Sequence, residues 1–175
     1  MANNSAVYTM NGKPATLSNI STTFTLFKLS SDSTKPVQVF MPGGGRLDGV
    51  RFKVKASGYV TGATTTNATI TLQYGTSATT GSNTTIEASS ARAVNSTTRP
   101  WFIEAELITD SVVKALIGSG KSMVGNTLDA LAALDNAPTS VDPASEGQGF
   151  VVGCTFSSGD AGNTCTLKDF SLEVL

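Results

Sequence analysis

The chain has 175 residues, which is the length of one domain with room for a sizeable hydrophobic core. Only 14% of the residues are charged and the net charge is −1, so there is no basic stripe for nucleic acid and no polybasic segment for lipid headgroups. The chain has no histidine, which removes the commonest general base and the commonest transition-metal ligand. We therefore expect a non-enzymatic protein without a cofactor and without a nucleic-acid or membrane partner.

The N-terminal stretch differs from the rest of the chain. Residues 1–20 are polar and lack an apolar period, which predicts an extended arm that is either disordered or laid on a neighbour, without a core of its own. Residues 21–175 are predicted to form a single domain. The start lacks the basic and apolar regions of a signal peptide, and no stretch is apolar enough for a membrane span, so we expect synthesis in a cytosol.

Short strands follow the arm. The pattern predicts a first strand at 24–29, a turn cluster at 30–36 and a second strand at 37–41. The clearest period-two alternation lies in residues 49–74, where two strands face each other across a Thr/Gly loop. A fifth strand is predicted within 85–94.

The second half continues the alternation. The strongest single strand is WFIEAELI, beginning at Trp101. Residues 115–124 and 126–134 are ambiguous, because the leucine spacing of the second fits a short helix while the flanking glycines and the surrounding β pattern favour strands. A loop rich in Pro, Asp and Gly is expected at 136–149, followed by a hairpin of 150–156 and 164–174.

These elements predict an antiparallel β-sandwich or jelly roll with little helix. In the last strand the apolar phase breaks between Leu167 and Phe170, and a β-bulge at Lys168 and Asp169 would restore it. The predicted inward set is Phe52, Val54, Ile70, Leu72, Trp101 or Phe102, Ile103, Leu107, Phe150, Val152, Phe156, Leu167, Phe170 and Leu172.

The two cysteines, Cys154 and Cys165, both continue apolar strand faces. A turn centred on Gly159 and Asp160 would place them opposite each other, close enough for a cross-strand disulfide. The alternative is two buried thiols that act as small hydrophobes, and the expected cytosolic context favours it.

The sharpest motif match is ALIGSGKS at residues 115–122, which fits a relaxed phosphate-binding P-loop with Ala115 in place of the first glycine. A true P-loop needs a buried parallel strand before it and a helix after it. Polar residues interrupt the strand and Gly125 interrupts the helix, so we expect a Gly-rich strand or turn in which Lys121 binds no nucleotide.

Carboxylates form two other groupings. Glu104 and Glu106 share the wet face of one strand, about 7 Å apart at β spacing, where they are expected to maintain solubility rather than to act as a glycosidase pair. Loop oxygens that could gather Ca²⁺ belong to Asp135, Asp142 and Glu146, or to Asp160 and Asn163. Their spacing matches no Ca²⁺ loop, so turn formation is the favoured interpretation.

Four aromatic side chains are candidates for stacking on sugar rings. Trp101 and Tyr74 are in phase with apolar neighbours, which predicts core positions, and Tyr8 lies in the arm. Tyr59 is placed in a loop and is the best candidate for an exposed platform.

The segments RFKVKASGYVTGATTTNATITLQYGTS, ARAVNSTTRPWFIEAEL and GFVVGCTFSSGDAGNTCTLKDFSLEVL resemble a jelly-roll type found among the head-decoration, or cement, proteins of tailed bacteriophages. The resemblance covers about residues 47–175 and includes no invariant motif, so it transfers no site residue. The polar arm and the strands rich in Thr, Ser, Asn and Gly are similar in texture to small structural proteins of these phages.

The resemblance implies a virion protein, made in the host cytoplasm, that stabilises the capsid exterior by binding the major capsid protein at junctions between capsomers. It implies a homo-oligomer, and a trimer is expected because a threefold junction offers three equal surfaces. The same sandwich also resembles carbohydrate-binding modules. The alternative is therefore a carbohydrate-binding or host-receptor-binding module of a phage particle that contacts host surface glycans.

Overall fold

The computed structural model of the chain describes residues 6–41, 49–75, 83–110, 115–129, 132–136 and 148–175. These residues contain strands and no helix. The strands are β1 (Val7–Thr9), β2 (Leu17–Ser18), β3 (Thr25–Leu26), β4 (Lys28–Leu29), β5 (Asp32–Pro36), β6 (Gln38–Phe40), β7 (Arg51–Thr61), β8 (Thr66–Gly75), β9 (Thr84–Ala88), β10 (Arg92–Val94), β11 (Arg99–Asp110), β12 (Ala115–Val124), β13 (Thr127–Leu128), β14 (Ala132–Asn136), β15 (Gly149–Phe156) and β16 (Thr164–Val174).

The strands form two main antiparallel sheets. The large sheet has the order β1-β16-β7-β11-β12-β13, with β2 beside β16 and β14 beside β12. The small sheet has the order β10-β8-β15-β3, with β9 beside β8 and β6 beside β15, while β4 and β5 form a separate ribbon. Side chains from both sheets share one hydrophobic core. The fold is therefore an all-β, jelly-roll-like antiparallel sandwich, which confirms the predicted fold class.

The core lies where the alternation predicts it. Every member of the predicted inward set is buried, and at the position left open it is Trp101, at 1% exposure, that points inward rather than Phe102. Phe52 of the large sheet packs on Phe150 of the small sheet at a ring-centroid distance of 5.8 Å, and Phe150 meets Tyr74 at 4.9 Å. The contact between Phe52 and Phe150 joins the two layers, and the contact between Phe150 and Tyr74 lies within the small sheet.

Two of the connections between consecutive strands, each predicted to join strands that face each other, cross instead from one sheet to the other. β7 and β8, predicted to face each other across a loop, belong to the large and the small sheet, so residues 62–65 join the layers. β15 and β16 are divided in the same way, and the predicted hairpin of 150–156 and 164–174 is wrong. Alternation identifies which face of a strand is buried, but it does not identify the strand beside it. Two consecutive strands bury the same faces whether they pair in one sheet or lie in opposite sheets.

Several smaller predictions change. The predicted turn at 30–36 contains β5, the first strand is divided into β3 and β4, and the fifth is divided into β9 and β10. Residues 115–124 are a strand, and no helix occurs in the described part of 126–134. Most of the predicted loop at 136–149 lies outside the described residues. The bulge predicted at Lys168 and Asp169 is confirmed, because the register of β16 with β7 shifts between Leu167 and Asp169.

The described part of the arm, residues 6–20, is extended and lies on this chain's own sandwich. β1 and β2 both pair with β16, and Pro14 forms an isolated bridge with Leu29. Leu17 and Ile20 are buried in the common core. The described part of the arm therefore contributes two side chains to the common core, and both are apolar although their neighbours are polar.

Candidate binding surface

The outer face of the large sheet is a broad surface formed mainly by β16, β7, β11 and β12, which are 10 to 12 residues long. Alternate residues of these strands point away from the core, so each antiparallel pair contributes rows of outward side chains. In the order of the rows, this face has an aromatic end, a charged band and an aliphatic end. The register of the strands defines all three.

The charged band consists of Lys53, Glu104, Glu106 and Lys121. Lys53 Nζ lies 2.8 Å from Glu106 Oε1 and 3.6 Å from Glu104 Oε1, and Lys121 Nζ lies 2.9 Å from Glu104 Oε1. The hydrogen bond with Glu106 raises the pKa of Lys53, and the same hydrogen bond lowers the pKa of Glu106. Positive and negative side chains therefore neutralise each other within the band.

The geometry of the band bears on the predicted carboxylate pair. Glu104 and Glu106 lie on the outward face of β11, as predicted, and their neighbours β7 and β12 supply the lysines. Both carboxylates belong to one strand, whereas a glycosidase places its two carboxylates on either side of the scissile bond. The ion pairs link the side chains of the charged band and keep Glu106 ionised. An ionised, paired carboxylate suits a contact surface better than it suits proton transfer.

The aromatic end contains Tyr59, Pro100, Phe102 and Met123. Tyr59 is opposite Pro100 in the register of β7 with β11, and Phe102 is opposite Met123 in that of β11 with β12. Tyr59 is exposed as predicted, at 47%, but it lies on strand β7 rather than in a loop. A shallow depression of about 270 Å³ lies among these side chains.

The other aromatic candidates divide as predicted. Trp101 and Tyr74 are core residues, each 1% exposed, and they are not available for stacking on a ligand. Tyr8 lies on β1 at the edge of the large sheet and is 38% exposed.

The aliphatic end contains Ile108, Ile117 and Leu175. Ile108 is paired with Ile117 in the register of β11 with β12 and with Arg51 in that of β11 with β7. The amide of Leu175 donates to the carbonyl of Arg51 at 2.9 Å, which brings the C-terminal side chain to the same row. All three apolar side chains are at least 39% exposed. Exposed aliphatic side chains grouped in one row favour a contact with another molecule.

The P-loop-like segment lies within β12 and pairs with β11 on one side and β14 on the other. Its backbone is therefore extended and shared with two neighbours, rather than curled around a phosphate. Lys121 is part of the charged band, and a Cβ at Gly118 would lie 1.8 Å from the backbone oxygen of Glu106. Gly118 is therefore explained by the close approach of β11, which leaves no room for a side chain. The lack of nucleotide binding stays a prediction.

Of the candidate Ca²⁺ residues, Asp160 and Asn163 have described side chains, and both use a side-chain oxygen to accept a backbone hydrogen bond. Asp160 Oδ1 accepts a hydrogen bond from the amide of Gly162, as in an Asx turn. Asn163 is fully buried and its side chain bonds to backbone groups. Asp142 and Glu146 lie outside the described residues, as does the side chain of Asp135. Among the described residues no group of three or more potential ligands lies close enough to hold a metal ion.

Cys154 and Cys165 are free thiols, both 0% exposed, in the small and the large sheet respectively. They therefore meet across the core and not across a hairpin. Burial raises the pKa of the Cys165 thiol, and hydrogen bonding with Cys154 raises it further. The burial of both thiols agrees with the favoured interpretation of the cysteines as small hydrophobes.

The sequence patterns did not reveal a buried ion pair between Arg92 and Asp129. Asp129 is 9% exposed, and its carboxylate accepts hydrogen bonds from Arg92 Nη2, from the Ser122 hydroxyl at 3.0 Å and from the Ser90 amide at 2.9 Å. Burial alone would raise the pKa of Asp129, but these hydrogen bonds outweigh burial and lower it. Because the partners are 37 residues apart, no local pattern indicates the pair.

No protein-family model matches this chain, and a search of curated proteins finds no relative. In the described parts of the chain, no helix has the length and apolarity needed to cross a bilayer.

Proposed function

We propose that the protein is a non-enzymatic virion component that decorates a phage capsid by laying the outer face of its large sheet on the major capsid protein. The observation that carries the proposal is the composition of this face, with an aromatic end and an aliphatic end on either side of a charged band. Exposed apolar side chains supply area to bury, and the charged band supplies polar positions between them.

The charged band determines what kind of partner fits. Since Lys53, Lys121, Glu104 and Glu106 already pair with one another, a partner need not bring charges to compensate these four side chains. An exposed ion pair contributes only about 0–1 kcal/mol, so its partial burial changes affinity little. A flat contact of this kind, with bridging water, gains strength from repetition over a lattice and not from one tight site.

The proposal includes a homo-oligomer, with a trimer at threefold junctions of the shell. Assemblies bound to symmetric particles are usually closed and symmetric themselves, and three copies would contact three equivalent capsid surfaces. Multi-angle light scattering of the purified protein tests this directly. A monomer at all concentrations would contradict the trimer.

Cosedimentation with undecorated capsids of the phage that carries the gene tests the proposed face. The variant Tyr59→Glu/Ile108→Glu places a charge at both apolar ends of the outer face, where the native side chains are 47% and 41% exposed. Its matched control is Phe40→Glu, because Phe40 is 45% exposed on β6 of the small sheet. We expect the double variant to stop pelleting with capsids and the control to pellet as the native protein does. Equal pelleting of both variants would refute the proposed face.

A second candidate function is favoured by the aromatic end. Tyr59 and Phe102 lie beside a shallow depression, an arrangement that suits stacking on a neutral sugar ring of a host surface glycan. Glycan-array binding that is lost in Tyr59→Ala, from a protein that ignores capsids, would favour this carbohydrate-binding or receptor-binding alternative over decoration.

A further inference from the structure

A cleft of about 530 Å³ is lined by residues of both sheets and lies apart from the outer face. The small sheet contributes Asn67 from β8 and Arg92 from β10, and the large sheet contributes Arg99 from β11. The turn between β12 and β13 adds Gly125 and Asn126. Its volume is within the range of about 300–1,000 Å³ that is common for small-ligand sites.

One of the two guanidinium groups of the cleft, that of Arg92, is anchored by a buried carboxylate. The buried carboxylate of Asp129 binds Arg92 Nη2 and is itself fixed by Ser90 and Ser122. The Arg92 side chain remains 33% exposed, and this part lines the cleft. The Nε of Arg92 is buried, so a ligand can reach only the exposed remainder of this guanidinium, which loses little conformational freedom on binding because Asp129 already anchors it.

The second guanidinium has no such partner. Arg99 is partly exposed, and no salt bridge joins it to any carboxylate in the described part of the chain. No Asp or Glu is among the residues that line the cleft. Two arginines therefore face one cavity with a single counter-ion, in a protein whose net charge is −1.

The remaining lining is rich in neutral hydrogen-bonding groups. Asn67, Asn126 and Thr127 offer amide and hydroxyl groups, which can both donate to and accept from hydroxyls. Gly125 has a φ of 70° and would have open space around an added Cβ, so the turn leaves the entrance unobstructed. The lining thus combines two guanidinium groups with several groups suited to a polyhydroxylated molecule.

We propose that this cleft binds a sugar acid, a hexuronate or a related carboxylate-bearing monosaccharide unit. A guanidinium matches a carboxylate in plane and in donor spacing, and the asparagine amides match the ring hydroxyls. The cleft differs from the aromatic end in both position and chemistry, because it recognises charge and hydroxyls and not the face of a ring. The proposal is independent of capsid binding.

Titration of the full chain with glucuronate, followed by amide and side-chain-amide shifts in ¹⁵N–¹H NMR spectra, tests the site. Ligand-efficiency limits give a Kd on the order of 1 mM for a ligand of this size. Glucose, which lacks the carboxylate, should bind about 10- to 100-fold more weakly, and Arg99→Gln should weaken glucuronate binding by a similar factor. Arg51→Gln removes one arginine charge from the outer face and should leave the affinity unchanged, as should Tyr59→Ala.

The outcomes separate the proposal from its competitors. Loss of glucuronate shifts in Arg99→Gln, with a native thermal melt and native shifts for Arg51→Gln, supports the site. Equal affinity for glucose and glucuronate overturns the role of the arginines. Equal affinity for inorganic phosphate and glucuronate overturns the assignment to a sugar acid, because it would show a general anion site. The absence of saturable shifts with glucuronate overturns the proposal as a whole.

Discussion

Truncation of Phe52 to alanine tests whether the aromatic contacts between the sheets stabilise the sandwich. Phe52 is 0% exposed on β7 and packs on Phe150, whose ring centroid is 5.8 Å away with an interplanar angle of 59°. Phe150 in turn meets Tyr74 edge-on at 4.9 Å. Removal of the ring therefore opens a cavity where the large and small sheets touch.

The expected cost combines two effects. A phenylalanine truncated in a core destabilises by about 3–5 kcal/mol, which includes the lost transfer free energy and the cavity. About 0.5–1.5 kcal/mol of that reflects the specific ring contact with Phe150. For a chain of this length each kcal/mol lowers Tm by about 2–4 °C, so Tm should fall by about 6–20 °C.

Urea unfolding followed by the fluorescence of Trp101 measures this change, because Trp101 is 1% exposed in the same core. The matched control is Lys53→Ala, one residue along β7 but on the outward face, where the loss of exposed ion pairs should cost less than about 1 kcal/mol. If Phe52→Ala costs no more than Lys53→Ala at an unchanged m-value, the contact between the sheets does not contribute as argued.

Three further changes have defined outcomes. Gly118→Ala forces a Cβ to within 1.8 Å of the Glu106 carbonyl, so β11 and β12 must separate, and urea unfolding should show a loss of more than about 1–3 kcal/mol. Burial, and secondarily the charge of Asp129, raises the pKa of Glu87 above 4.5, so the folded state loses stability as pH rises from the unfolded pKa through the folded one. Glu87→Gln should therefore raise Tm at pH 7 and leave it unchanged at about pH 3.5, and the reverse pattern would contradict this sign. Asn163→Ala leaves buried backbone groups without partners and should cost about 1–3 kcal/mol for each group in thermal or urea unfolding, whereas a silent substitution would show that water replaces the amide.

Side-chain alternation allowed the core to be predicted because burial follows the pleat directly. In β7 and β11 every second residue is buried over the length of the strand, and Phe52 and Ile103 lie where the period places them. The bulge after Leu167 could be predicted for the same reason, since only an extra residue returns Phe170 to the buried face. Local patterns of this kind need no knowledge of neighbouring strands.

The candidate surface was only half predictable. The outward direction of Glu104 and Glu106 follows from alternation within β11, but their partners Lys53 and Lys121 come from strands on either side. Which strands become neighbours depends on sheet order, and sheet order is not encoded in the period of any one strand. Tyr59 was expected in a loop, but β7 continues through Gly58 to Thr61, and a Cβ at Gly58 would lie 1.8 Å from the Thr166 carbonyl oxygen.

Hydrogen bonds of one buried side chain stabilise the two connections that cross between the sheets. Asn163 is fully buried in the second crossing, where its Oδ1 accepts from the amide of Ala63 in the first crossing at 3.1 Å. Its Nδ2 donates to the carbonyls of Ile20 and Ser158 at 3.1 and 2.8 Å. One amide side chain thus joins both crossings to the N-terminal stretch, and it supplies partners that short hairpin turns would have found in their own backbones. A hairpin and a crossing can have equally short connections. They differ in which distant groups form hydrogen bonds with the polar groups of the loop. The sequence of residues 157–163 does not contain these distant partners, so by itself it suggested a hairpin.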